Sequence, residues 1–227
     1  MKLLVSDYDG TLKSDVKNLK ININAIKKFM DEGNTFCIAT GRPYNSIKEE
    51  IDFYNIPYNY LICNNGLTIF DDKNNLIYSQ KLNVEDILFF LKYMQADSEN
   101  YSLYNAYGEV DNSDIIYASI DNLKLSRLRW LKREIKCWFD NVSTYNQFNK
   151  LYLESKTNKA IGIKKLLELE KLSFKHADIH TVGDCVNDIE MLKEFNGHKV
   201  LFSYPCLFGK NIKTCTEVHS LVKKIMR

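Results

Sequence analysis

The sequence of 227 residues predicts an α/β protein whose doubly wound parallel sheet is interrupted by a small inserted α+β domain. In the first third of the chain, short apolar runs alternate with helical stripes, and this alternation indicates parallel strands joined by helical crossovers. After residue 66 a hairpin pattern replaces the alternation, and from about residue 150 the alternation returns. We therefore predict a core domain of residues 1–81 and 150–227 and an inserted domain of residues 82–149.

Each predicted element rests on local periodicity. In the first core segment, apolar runs at residues 3–5, 35–39 and 60–63 predict strands, and the stripes around Ile26 and Ile47 predict helices. Runs at 67–70 and 76–78 flank a polar turn and predict a hairpin. The inserted domain is predicted as helix 84–94, strands 101–105 and 114–120, helix 123–138 and strand 141–145. The second core segment is predicted as strand 151–153, a helix from 159, strand 179–182, helix 187–195 and strand 199–202.

Composition indicates an ordinary globular protein and disfavours several functions. The chain is 45% hydrophobic and 26% charged, and its net charge of +2 is spread along the sequence, so we expect no nucleic-acid partner. The six cysteines form no C-x-x-C pair, which favours free thiols in a reducing compartment. The chain opens on a strand pattern without a secretory signal, and its apolar runs are too short to span a membrane. We expect a cytoplasmic protein.

Two polar clusters follow the first two predicted strands. Asp7 and Asp9 lie two positions apart and point the same way in an extended chain, while Gly10 allows a sharp turn. Thr40 and Gly41 follow the second strand, where a hydroxyl, a backbone amide and a helix N-terminus favour an anion. By themselves, these patterns are also typical of a polar turn and of a helix N-cap.

Two further clusters lie in the second core segment. Lys159 begins a predicted helix, where the helix dipole opposes a cation and a nearby anion is therefore expected. Lys156 is an alternative for the same role. Asp184 and Asp188 follow a predicted strand and lie four residues apart, so a helical turn directs both carboxylates the same way. All four clusters follow strands or begin helices, so a doubly wound sheet brings them to one edge, and clustered carboxylates there favour Mg²⁺.

The order of these motifs resembles the haloacid dehalogenase-like superfamily, specifically its Cof-like phosphatases with an α+β cap. The resemblance extends over residues 7–11, 40–42, 63–66, 159 and 183–192. It implies a doubly wound core, a cap formed by the inserted domain, and hydrolysis of a small phosphorylated metabolite, for example a sugar phosphate. It departs from the family at residues 203–208, where a segment of small residues and an Asn-Ala pair are usual, and in a short cap.

The resemblance also implies residue roles. Asp7 is the implied nucleophile, which would form an aspartyl phosphate, and Asp9 is the implied general acid and base. The implied Mg²⁺ residues are Asp7, Asp9 through its backbone carbonyl, Asp184 and Asp188, the last in support of the others.

The residues implied to bind the transferring phosphoryl group and the substrate are Thr40, Gly41, Arg42, Lys159 and Asn187. Whether Arg42 contacts substrate or only packs stays open here. In the insertion, Tyr101, Tyr104, Tyr107 and Tyr117 are either a stacking wall for a sugar or nucleotide or ordinary strand residues.

Alternatives remain at this point. A phosphomutase of the same superfamily would return the phosphoryl group to its substrate. A regulatory protein would bind magnesium and phosphate without turnover, although Asp9 would then have no acid and base role to fill. We expect a monomer or a homodimer.

Overall fold

The computed structural model describes residues 1–93, 101–110, 114–207 and 212–227. Met94 and Phe208, which belong to the predicted helix 84–94 and to the atypical segment 203–208, lie outside these ranges. The strands are β1 (Leu3–Ser6), β2 (Thr35–Ala39), β3 (Tyr60–Cys63), β4 (Thr68–Asp71), β5 (Leu76–Ser79), β6 (Tyr101–Tyr104), β7 (Glu109–Val110), β8 (Tyr117–Ile120), β9 (Val142–Gln147), β10 (Lys150–Ser155), β11 (Ile179–Gly183), β12 (Asn196–Val200) and β13 (Lys213–Cys215). The helices are α1 (Val16–Asp31), α2 (Tyr44–Tyr54), α3 (Val84–Tyr93), α4 (Leu125–Trp138), α5 (Lys159–Leu169), α6 (Ile189–Glu194) and α7 (Val218–Ile225).

The described chain forms two compact units, one of residues 1–78 and 158–227 and one of residues 79–157. In the first unit, an eight-stranded sheet has the order β13-β12-β11-β1-β2-β3-β4-β5. The strands from β13 to β3 are parallel, and β4 pairs with β3 in the antiparallel direction. This architecture confirms the predicted α/β fold class.

Apolar stripes and polar caps account for the helices of the first unit. Leu19, Ile23, Ile26 and Phe29 form the buried face of α1, which begins where the Asp15 side chain accepts a hydrogen bond from a backbone amide. Asn158 caps α5 in the same manner. The cap fixes where α5 begins and therefore where Lys159, its first residue, is placed. The sequence analysis did not predict β13 and α7, which follow the last predicted element, the strand at residues 199–202.

The second unit contains a five-stranded sheet of order β7-β6-β8-β10-β9. Its apolar face packs with α3 and α4 around Phe90, Leu131 and Ile135. Leu128, Leu131 and Ile135 are buried in α4, whereas the basic residues of that helix lie on its other faces, as helical spacing predicts.

One predicted strand belongs to the other sheet. We expected residues 151–153 to resume the parallel core sheet, but β10 pairs in the antiparallel direction with β8 and β9 of the second unit. In β10, Leu151 and Leu153 are buried while Tyr152 between them is partly exposed. Such alternation is typical of an antiparallel strand with one solvated face, whereas core parallel strands are buried on both faces. The first unit therefore resumes at Asn158 and not at residue 150.

Candidate active site

The polar clusters meet because their strands are neighbours in the parallel sheet. β1 lies between β2 and β11, so the residues that follow these three strands emerge side by side at the carboxyl edge. Asp7 continues the pairing, because its amide donates to the carbonyl of Val182 at 2.9 Å. Asp7, Thr40 and Asp184 therefore lie at one edge of the sheet, as the sequence predicts.

Three buried carboxylates form the centre of this site. Asp7, Asp184 and Asp188 each place a carboxylate oxygen within 4.8 Å of the others. One oxygen of Asp188 accepts hydrogen bonds from the amides of Asp184 and Cys185, both at 3.0 Å. Thr11 donates its hydroxyl to Asp184 at 2.9 Å. These bonds fix the orientation of two of the three carboxylates.

Lys159 is the cation at this centre. Its Nζ lies 2.5 Å from Oδ1 of Asp7 and 2.7 Å from Oδ1 of Asp188, and its side chain is fully buried. The negative charge that the start of α5 led us to expect is therefore present. Lys156, the alternative, is exposed and lies in the other unit.

Burial and charge act against each other among these groups. Burial raises the pKa of the Asp7 carboxyl to about 7, although Lys159 acts to lower it. Burial also raises the pKa of Asp184, against the hydrogen bond from Thr11. For Lys159, burial disfavours the charge, but Asp7 and Asp188 outweigh it and raise the pKa. The lysine is therefore charged, and the carboxylates around it gain from any further cation.

Two glycines allow this close approach. Gly10 has φ +79°, and a Cβ there would lie 2.5 Å from Oδ2 of Asp184. A Cβ on Gly183 would lie 2.5 Å from the carboxyl carbon of Asp188. Only a residue without a side chain leaves room for the carboxylates at both positions.

Asp9 lies apart from the buried centre. Its side chain is 53% exposed, and its two oxygens accept hydrogen bonds from Nε and Nη2 of Arg42 at 2.7 and 2.5 Å. Arg42 also lies 3.6 Å from Glu50 and over the ring of Tyr8. Arg42 therefore both packs and lines the site. The carboxylate of Asp9 is not one of the three clustered groups.

Thr40, Gly41 and Asn187 complete the edge. Thr40 does not cap α2, since that helix begins four residues later, and its hydroxyl instead accepts the amide of Arg42 at 3.1 Å. Asn187 donates to Oδ1 of Asn65 at 3.4 Å, and a Cβ on Gly41 would lie 3.1 Å from the same oxygen. Asn65 thus links the cluster of Thr40 and Gly41 to the segment that carries Asp184 and Asp188.

A pocket of about 330 Å³ opens over these groups. It is lined by Asp7, Asp9, Thr40, Gly41, Arg42, Asp184, Cys185, Asn187 and Tyr204. Seven of these nine residues are predicted site residues. Lys159 and Asp188 are fully buried and do not line this pocket, but they contact Asp7 and the amide of Asp184, which border it.

The carboxylate centre suits a hard cation. Magnesium and calcium ions take oxygen ligands, and the three carboxylates offer oxygens within reach of one ion. The lysine offsets only part of their negative charge. The residues present therefore fit a divalent cation bound by oxygen ligands.

Comparisons with known proteins assign the family. A model described as haloacid dehalogenase-like hydrolase matches residues 4–129 and 116–200, which together span most of the chain. The chain belongs to this hydrolase family. An uncharacterized protein of Mycoplasma capricolum subsp. capricolum is 30% identical to this hydrolase, over 99% of this chain and 97% of that protein.

Two further proteins extend the comparison. The 5-amino-6-(5-phospho-D-ribitylamino)uracil phosphatase YcsE of Bacillus subtilis is 28% identical, over 86% of this chain and 81% of that protein. The solved structure of TM0651 from Thermotoga maritima superimposes with a TM-score of 0.81 at 17% identity, over 98% of this chain and 97% of that one. The hydrolase therefore shares that fold over nearly its whole length.

Several site residues of this hydrolase were not predicted in their present roles. Thr11 and Asn65 lie within motifs that the resemblance covers, but their bonds to Asp184 and Asn187 join distant segments. Tyr204 belongs to the atypical segment 203–208, and its amide donates to the carbonyl of Asp184 at 2.8 Å. Tyr204 therefore forms part of the pocket wall. No local signal in the sequence identifies that bond.

Among the residues that the structure describes, no helix is both long and apolar enough to cross a membrane.

Proposed function

We propose that this hydrolase is a magnesium-dependent phosphatase that acts on a small phosphorylated metabolite through an aspartyl phosphate on Asp7. The observation that carries the proposal is the convergence of Asp7, Asp184, Asp188 and Lys159 at one sheet edge, under a pocket of metabolite size. Phosphoryl transfer needs mainly positioning and neutralisation of charge, and these groups supply both. A sugar phosphate is one candidate substrate.

Asp7 fits the nucleophile by its position. Its carboxylate borders the pocket and is held by Lys159 at 2.5 Å. In the first step an Asp7 oxygen forms a bond to phosphorus while the bond to the leaving oxygen breaks. Mg²⁺ held by Asp7 and Asp184, by the backbone carbonyl of Asp9, and with support from Asp188, would neutralise charge on the phosphoryl oxygens. Lys159 has three N–H donors, of which two reach Asp7 and Asp188, so one remains for a phosphoryl oxygen.

Asp9 completes the proton transfers in this proposal. It donates a proton to the leaving oxygen, and it later accepts a proton from the water that attacks phosphorus and frees Asp7. Thr40, the Gly41 amide and Asn187 line the same pocket and would hold phosphoryl oxygens. Arg42 donates a hydrogen bond to Asp9 and would fix the position of this acid and base before substrate binds.

The experiment is magnesium-dependent phosphate release from an aryl phosphate, sugar phosphates and nucleotides. Because a relative of Bacillus subtilis is named 5-amino-6-(5-phospho-D-ribitylamino)uracil phosphatase, that compound belongs in the set. We expect activity that needs magnesium and that Asp7→Asn abolishes. The exposed Asp31→Asn is the matched control, since it removes one carboxylate far from this edge.

The outcome separates the alternatives. Activity unchanged in Asp7→Asn would refute the nucleophile. Isomerised phosphate ester in place of free phosphate would identify a mutase, and magnesium binding without turnover of any compound would favour a regulatory protein. The assignment of catalysis to 1–81 and 150–227 and of substrate choice to 82–149 stays a prediction, with boundaries shifted to the compact units. A cytoplasmic location also stays a prediction.

A further inference from the structure

One face of the sheet in the second unit carries an ordered set of polar and aromatic side chains. Leu103, Ala118, Ile120, Leu151 and Leu153 point into the apolar core of that unit. The alternating residues of β6, β8, β10 and β9 therefore lie on the other face. In register, one row across that face is Tyr104, Tyr117, Glu154 and Ser143, and the next row is Ser102, Ser119, Tyr152 and Tyr145.

The four tyrosines form two cross-strand stacks in different rows. The rings of Tyr104 and Tyr117 are 4.4 Å apart and parallel within 8°, and those of Tyr145 and Tyr152 are 4.7 Å apart and parallel within 6°. In the first row, the position after Tyr117 is occupied by Glu154 and then Ser143, which carry no ring. The ring of Tyr152 in the next row lies 6.3 Å from that of Tyr117 and is tilted by 48°, so it does not stack on Tyr117. A flat ring beside Tyr117 on the side of Glu154 would continue the first stack.

Glu154 is an unusual residue for this position. Glu154 is only 9% exposed, and its carboxyl has no hydrogen-bond or ion-pair partner among the described residues. A buried carboxyl without a partner costs free energy that a ligand with suitable donors can recover. In support, burial raises the pKa of Glu154 to about 7. Ser143 beside it is half-buried and Tyr145 is 43% exposed, so ligands reach this corner from solvent.

We propose that this face binds a flat nitrogen heterocycle that stacks beside Tyr117 and presents two adjacent N–H donors to the carboxylate of Glu154. Parallel ring pairs favour a flat ligand, because a compact cation is held best by rings that converge on one point. A carboxylate accepts two parallel N–H bonds from one ligand edge, which gives both affinity and geometric selectivity. The tyrosine pair Tyr104 and Tyr117 is thus the wall that the sequence left undecided, while Tyr101 and Tyr107 are exposed.

The inference goes beyond the proposed function, because it concerns a binding site on the second unit alone. The class of ligand is a heterocycle with an amino group next to a ring N–H.

Guanosine and inosine test the inference directly, because they differ only in the exocyclic amino group that supplies the second donor. Binding is measured by calorimetry on the full chain carrying Asp7→Asn, which removes turnover. We expect guanosine to bind at least about tenfold more tightly than inosine, since a site that uses a donor rejects the analogue without it. Glu154→Gln should reduce that preference to about twofold or less. Glu109→Gln is the matched control, because Glu109 is an exposed carboxylate opposite Tyr104 on the same sheet.

Stacking is tested at Tyr117. Tyr117→Leu should weaken guanosine and inosine alike by about tenfold, whereas Tyr117→Phe, which keeps the ring, should change binding by less than about threefold.

The outcomes separate this inference from the proposed function. Equal binding of guanosine and inosine, or a preference that survives Glu154→Gln, would overturn the inference even if an aryl phosphate is hydrolysed. Preferential binding of guanosine without phosphate release from any compound would support the heterocycle site and refute the proposed phosphatase activity.

Discussion

The backbone at Gly10 fits closely against a carboxylate of the site, and the substitution Gly10→Ala tests this fit. Gly10 and Gly33 both have φ +79°, but a Cβ on Gly33 would have no atom within 4 Å, whereas a Cβ on Gly10 would lie 2.5 Å from Oδ2 of Asp184. The two glycines therefore share one backbone cost and differ in one contact. Gly33→Ala is the matched control.

The magnitude follows from these contacts. Alanine in the left-handed region costs about 1 to 2 kcal/mol at either position. At Gly10, Asp184 must also retreat by about 1 Å to reach ordinary contact, and this movement strains its bond from Thr11, which adds about 1 kcal/mol. We therefore expect Gly10→Ala to lower the free energy of unfolding by about 1 kcal/mol more than Gly33→Ala. Because Asp184 is a proposed metal ligand, magnesium affinity and phosphate release should fall by about ten- to hundredfold in Gly10→Ala only.

Urea unfolding measures the stability difference, and magnesium-dependent phosphate release measures the functional one. Two variants of equal stability and equal activity would show that Asp184 is not held against Gly10. Loss of activity in Gly33→Ala as well would attribute the effect to general loss of structure and would refute the argument from contact.

Two other predictions concern buried ionisable groups. Lys159→Met leaves Asp7 and Asp188 buried without their cation and should lower the free energy of unfolding by about 3 to 5 kcal/mol, whereas Lys164→Met, which removes an exposed ion pair on the same helix, should change it by less than about 1 kcal/mol; comparable urea midpoints would contradict this. His198 is buried, and burial lowers its pKa from 6.5 to about 4. Between these two pH values the imidazole is protonated in the unfolded chain and neutral in the folded chain. Stability should therefore fall by about 2 to 3 kcal/mol as the pH is lowered from about 6.5 to about 4, and His198→Gln should flatten this dependence; an equally steep decline in that variant would refute the assignment.

The sequence predicted which residues meet at the sheet edge better than it predicted which strands form each sheet. Asp7, Thr40 and Asp184 each follow a strand, and the rule that parallel strands end at one edge was enough to bring them together. The same local reasoning failed for residues 151–153, because a short apolar run before a helix is compatible with either sheet. The feature that distinguishes the two sheets is the alternation of Leu151, Tyr152 and Leu153, which indicates a strand with one solvated face.

Contacts between distant segments were beyond the sequence. Lys156 and Lys159 could not be distinguished locally, and only packing buries Lys159 between Asp7 and Asp188. The tyrosine stacks depend on strand register, which a shift of one residue would invert, and Tyr145 and Tyr152 therefore had no local signal. The bond from Thr11 to Asp184 spans 173 positions and has the same origin.

The charges at the carboxylate centre connect stability with function. When all groups are ionised, Lys159 offsets only one of the three carboxylates Asp7, Asp184 and Asp188, so two negative charges remain uncompensated in a largely buried site. Buried charge of this kind is costly unless it is paired. A divalent cation matches that excess, and the same cation would neutralise a phosphoryl group bound in the pocket above. The arrangement that is least favourable without a bound cation is thus the one best suited to hold a divalent cation and, in the proposed function, a phosphoryl group.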